Sequence, residues 1–101
     1  MGLFSFLRTS EFEEGIARAK EENGILLDVR TEEEFSEGHI RGAINIPLDR
    51  LAETELAKNK KLFVYCHSGA RSGRAVAYLQ SQGYQAENIG GIGGYRGEKI
   101  R

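Results

Sequence analysis

Apolar residues come in short runs between stretches of helical spacing, and the two patterns alternate along the chain. Ile25-Leu26-Leu27-Asp28-Val29, Ala43 to Ile46 and Leu62-Phe63-Val64-Tyr65 are brief apolar segments of the length and character of buried parallel strands. Leu3-Phe4-Ser5-Phe6-Leu7 reads as a first strand, and Tyr84 to Ile89 as a weak last one. Between them, Ser10 with Glu13 and Thr31 with Glu34 are capping boxes, each opening a helix. Phe12, Ile16 and Ala19 follow the first box at helical spacing up to a stop at Gly24, with Gly15 weakening the helix. The second box opens a short helix before Gly38. Pro47 closes the third strand. Leu48, Leu51, Ala52 and Leu56 form one apolar helix face, and Ala75, Tyr78 and Leu79 another that ends at Gly83. Strands alternating with helices predict an α/β fold: a central, mostly parallel sheet of about five strands with helices on both faces.

Composition narrows this. With 101 residues the chain reads as one domain over 1–101. At that length it buries roughly 60% of its unfolded surface, enough for one core. A formal charge of -1 gives no footprint for nucleic acid or a membrane surface. The apolar start is too short for a transmembrane span and has neither the basic nor the long apolar region of a secretory signal. One cysteine excludes an internal disulfide framework and fits a reducing compartment, so the cytoplasm is the expected location. The two histidines and the cysteine have no zinc spacing, and neither metal nor organic cofactor is expected. The glycine-rich tail from Gly90 to Gly97 fits no dinucleotide or phosphate motif and reads as turns.

That one cysteine, Cys66, ends the central apolar run and is followed by His67-Ser68-Gly69-Ala70-Arg71-Ser72-Gly73-Arg74, where a helix begins. In open α/β sheets, ligands bind beyond the carboxyl ends of the strands. Amides converging at a helix N-terminus, with its dipole and nearby arginines, bring a thiol from about 8.5 to roughly 3.5–7.5. Small residues let such a loop curl into an anion nest. A lone cysteine is more often a buried apolar residue; the surrounding loop favours a nucleophile.

Asp28-Val29-Arg30, then Glu34-Phe35 with Gly38-His39-Ile40-Arg41-Gly42-Ala43-Ile44-Asn45-Ile46-Pro47, then Tyr65 to Ser72, resemble a rhodanese domain over about Phe4 to Gly97. The resemblance implies a sulfurtransferase in which Cys66 carries a sulfane sulfur as a persulfide, with His67, Ser68, Gly69, Ala70, Arg71 and Ser72 as its binding loop. It implies a small anionic donor such as thiosulfate or another persulfide, a thiol or cyanide as acceptor, and room for a sulfur-relay protein as partner. Four residues separate Cys66 from Arg71. The rival reading is a sulfur-relay or protein-binding module; cysteine-dependent phosphatases place five residues there, so phosphatase or arsenate-reductase chemistry is the weaker alternative. The family often has a tryptophan near the tail, where this chain has Tyr95.

Supporting roles fall to Asp28 and Arg30. Arg71 either attracts anions or braces the loop by pairing with a carboxylate, for which Asp28 is the candidate. Arg30 is expected to pair with Glu34 or to lie near the site. His67 either tunes the thiol or faces solvent, and His39 reads as a structural histidine. Ser72 either donates to the sulfur or caps the helix, and Arg74 adds positive potential.

Overall fold

The computed structural model describes residues 10–101. Among them lie three α-helices, one 3-10 helix and four strands: α1 (Glu11–Glu21), β1 (Ile25–Asp28), α2 (Glu32–Glu37), β2 (Ile44–Asn45), the 3-10 helix (Leu48–Glu53), β3 (Leu62–Cys66), α3 (Ala70–Ser81) and β4 (Ala86–Gly91). The strands form one sheet in the order β2-β1-β3-β4 with every neighbouring pair parallel. Among the described residues the strands number four, against about five expected. The expected strand at Leu3–Leu7 lies outside the described residues.

Both helix starts form as the sequence indicates. Ser10 accepts from the Glu13 amide and Thr31 from the Glu34 amide, each with the reciprocal glutamate bond of a capping box. Every residue of β3 is buried, and side-chain alternation divides it between two layers. Leu62, Val64 and Cys66 face a core shared with Leu27, Val29, Leu51, Ala75 and Leu79. Phe63 and Tyr65 face the opposite core with Phe12, Ala19, Ile40 and Ile89. Helices therefore cover both faces, and Cys66 points to the α3 side.

Three local expectations shift. The apolar face from Leu48 to Leu56 is only a 3-10 turn ending at Glu53. Leu56 beyond it is fixed by Tyr84, whose hydroxyl takes the Leu56 N–H and donates to its carbonyl, each at 3.0 Å. With Tyr84 so engaged, the last strand starts two residues late and runs into the glycines, to Gly91. Gly15 is a packing residue: a Cβ there would stand 2.4 Å from the Cβ of Ile89, so glycine brings α1 down onto β4.

Candidate active site

Cys66 is the last residue of β3 and is completely buried. The chain turns directly behind it. Gly69 takes φ 99°, ψ -8°, a left-handed conformation that L side chains rarely tolerate, and α3 starts at the next residue. This turn points donors at the sulfur. The Gly69 amide stands 3.0 Å from Sγ, the Ser72 amide 3.4 Å and the Ser72 hydroxyl 3.4 Å. Burial pushes the Cys66 thiol pKa up, but the Ser72 hydroxyl and the amides of Ser72, Gly69 and Ser68 outweigh it, and the net value lies below that of an ordinary cysteine. Ser72 is thus a donor to the sulfur, and the helix cap is Gly69.

The wall behind the loop is β4. Asn88 accepts from the Ser72 hydroxyl at 2.7 Å and from the Gly90 amide at 3.0 Å, and donates to the Gly69 carbonyl at 3.0 Å. Ser72 has one hydroxyl hydrogen and three acceptors in reach, Asn88 Oδ1, Cys66 Sγ and, at 3.5 Å, the Gly90 carbonyl. Asn88 keeps its bond from Gly90 when that hydrogen turns to the sulfur, so the hydroxyl can follow the sulfur's charge without leaving an orphaned acceptor. Past β4, the Ile92 amide donates to Cys66 O and the Gly93 amide to His67 O, both at 2.9 Å. A Cβ on Gly91 would lie 2.1 Å from His67 O, so only glycine allows this approach. Asn88 carries no local sequence signal; a strand asparagine 22 positions from the cysteine is placed only by the fold.

The ion pairs correct two expectations. Asp28, fully buried, does not hold Arg71; it accepts from the Arg30 amide at 2.9 Å and from Arg30 Nη2 at 2.7 Å. Arg30 does not pair with Glu34; its Nη2 also reaches the Gly38 carbonyl at 2.7 Å. The carboxylate facing Arg71 is Glu34, bound at both guanidinium nitrogens at 2.8 and 3.0 Å. Side chains two apart on extended backbone share a side, so Arg30 claims Asp28 locally. Glu34 is left to reach Arg71. Hydrogen bonds from Arg71, against a smaller desolvation penalty, hold the Glu34 carboxyl at about 2. Arg71 therefore braces the loop, and the same Glu34 caps α2.

His67, Ser68 and Ala70 are exposed on the loop, and Arg74 is exposed on α3. His39 is structural: its Nδ1 meets Phe35 O at 2.8 Å and its ring stacks on Phe35. Tyr95 packs edge-on against Phe12 at 5.3 Å, in the apolar layer away from the sulfur. Among the described residues, no three His, Cys, Asp or Glu side chains are grouped to hold a metal ion. No helix among them is long and apolar enough to cross a membrane.

Comparison with known proteins gives a consistent set. Residues 9–97 match the rhodanese-like domain family. The chain is 42% identical over 71 residues to the thiosulfate sulfurtransferase PspE of Escherichia coli strain K12, covering 65% of this chain and 68% of that one. It is 39% identical over 62 residues to the putative sulfur carrier protein YrkF of Bacillus subtilis, covering 59% of this chain but 34% of the relative. The crystal structure of a rhodanese-like domain protein from Staphylococcus aureus superposes with a TM-score of 0.70 at 35% identity, over 74% of this chain and 76% of that one.

Proposed function

We propose, for a chain that belongs to the rhodanese-like domain family, that it moves a sulfane sulfur from thiosulfate or a persulfide donor to a thiol or cyanide through a persulfide on Cys66. The observation that carries this is the convergence of the Gly69 and Ser72 amides and the Ser72 hydroxyl on the Cys66 sulfur. The Cys66 thiolate attacks the outer sulfur of the donor. An S–S bond forms at Sγ, the bond to the leaving group breaks, and sulfite departs with its electron pair when the donor is thiosulfate. The loop amides, held by Asn88 and by the Glu34–Arg71 pair, stabilise the charge on either sulfur without reorganising. An acceptor nucleophile then takes the outer sulfur and restores the thiolate.

A second reading, a sulfur-relay module that receives sulfur from a protein, is supported by the likeness to the putative sulfur carrier protein YrkF of Bacillus subtilis. Both readings share the Cys66 persulfide and differ in the donor. Intact mass after incubation with thiosulfate tests them. A gain of one sulfur on the wild type, absent from Cys66→Ser and removed by cyanide as thiocyanate, supports thiosulfate as donor. A gain only with a protein persulfide supports the relay. No gain from either sinks both.

A further inference from the structure

A cleft of ≈350 Å³ opens on the His67 side of the loop, lined by Arg30, Glu34, Glu37, His67, Gly93 and Lys99. Clefts for small organic ligands begin near about 300 Å³, so this one has room for an organic molecule against His67, the residue next to the nucleophile. Some of its charges are already engaged. Glu34 is bound by Arg71 and by the Thr31 amide. Arg30 is 5% exposed, with Nε and Nη2 bound to Asp28 and Gly38. Its Nη1 has no partner among the described residues. No side-chain nitrogen or oxygen sealed in the interior among those residues lacks a partner, so Nη1 is reached by solvent, and Arg30 lines the cleft.

Lys99 and Glu37 are the other charged residues of the lining, and neither has an ion-pair partner among the described residues. The position of Lys99 is built. His39 and Ile100 exchange two backbone hydrogen bonds of 2.9 and 2.8 Å. The Lys99 stem consequently lies over Gly38, where a Cβ would meet its Cβ at 3.7 Å. The cleft thus offers an arginine N–H and an ammonium for one carboxylate, and a carboxylate for one ammonium. Its imidazole belongs to the residue next to the nucleophile. The depression on the Ser68–Gly69 side differs: it holds Glu11, Glu14 and Glu87 with an arginine that Glu87 already binds. That lining disfavours a carboxylate.

We propose that the His67-side cleft is the acceptor subsite and that the acceptor is a small zwitterionic thiol of the amino-acid type, its carboxylate held by Arg30 and Lys99 and its ammonium by Glu37. This rests on the sulfur-transfer reading above. The acceptor thiolate attacks the outer sulfur of the Cys66 persulfide, forming a new S–S bond. The bond from that sulfur to Sγ breaks, and its electron pair returns to Sγ as thiolate. The acceptor's proton ends on its new terminal sulfur, so no oxidant or reductant enters.

The test uses persulfide-loaded protein, loaded with thiosulfate or else with inorganic polysulfide, and verified by mass. It is discharged by cysteine, 3-mercaptopropionate, cysteamine and 2-mercaptoethanol at matched thiolate concentrations. The expected order is cysteine first, the two singly charged thiols next and 2-mercaptoethanol last. Each partly exposed charge contact is expected to give up to about 5-fold in the second-order rate constant. Lys99→Gln cuts the advantage of 3-mercaptopropionate over 2-mercaptoethanol to the share that Arg30 gives, and Glu37→Gln removes that of cysteamine. Equal discharge by all four thiols, or preferences unchanged in both variants, overturns the subsite while leaving sulfur transfer intact. Absence of any mass gain, from these donors and from a protein persulfide alike, instead overturns the sulfur-transfer reading and the subsite with it.

Discussion

Replacing Glu34 with glutamine is expected to move stability and thiol acidity in opposite senses. A carboxyl near about 4.3 in an unfolded chain and held at about 2 in the fold has a shift of a little over two units. At about 1.4 kcal/mol per unit that is about 3 kcal/mol. The Glu34 side chain is 32% exposed and its Arg71 partner 33%, so solvent screening reduces the figure to about 1 kcal/mol. Because the folded pKa is depressed, this stability is fully present above about pH 4.3 and is lost as pH falls through 2. Urea titrations at pH 7 are therefore expected to find Glu34→Gln less stable by about 1 kcal/mol, with the gap closing between pH 4 and 2. The glutamine side chain of that variant keeps one oxygen to accept from Arg71 but no longer cancels its charge. Arg71 and Cys66 feel each other's charge, so the thiolate gains stability and the thiol pKa falls. Iodoacetamide alkylation rates against pH measure that directly. A thiol pKa that rises in Glu34→Gln, or equal stability of the two proteins at pH 7, would refute the reasoning.

Ser72→Ala removes a donor 3.4 Å from Sγ and is expected to raise the thiol pKa by about one unit, read from the same alkylation profile. Gly91→Ala drives a Cβ to 2.1 Å from His67 O and is expected to cost about 1–3 kcal/mol in urea. Gly94→Ala, with nothing within 4 Å, is expected to stay within about 0.5 kcal/mol of wild type. Tyr65→Phe strips the hydroxyl that accepts the Ile40 N–H at 3.2 Å in a fully buried site; a loss of about 1–3 kcal/mol is expected, and no loss would mean that the amide finds another acceptor.

Local signals proved readable in the sequence, and long-range ones did not. The two capping boxes are written within four residues each, and both form. The apolar runs at Ile25 and Leu62 become adjacent parallel strands. The sulfur's immediate surroundings follow from a cysteine at a strand end, a glycine able to turn and a helix start, all within seven residues from Cys66 to Ser72. The partners of Arg71 and Asp28 were exchanged because composition says which charges need partners, not which way they point. Arg71 meets a carboxylate 37 positions away, and Ser72 meets Asn88 16 positions away. The Ile100 tail pairs with His39 across the molecule. Strand order and crossovers bring such residues together, and no short window contains that information.

The wall that β4 supplies behind the loop has a consequence for the order in which the site is made. A ribosome delivers Cys66 before Asn88, Gly90 and Gly91, the residues that anchor its loop from behind. Some 25 residues separate Cys66 from the end of that strand, roughly 1–5 seconds of synthesis at about 5–20 residues per second. During that interval the emerging thiol has the loop sequence but not the strand that holds it, and a parallel strand docks late because its contacts are distant in sequence. Newly made chains are therefore expected to pass through a stage with an ordinary, accessible cysteine, and the activated one is born only when the last strand closes the sheet.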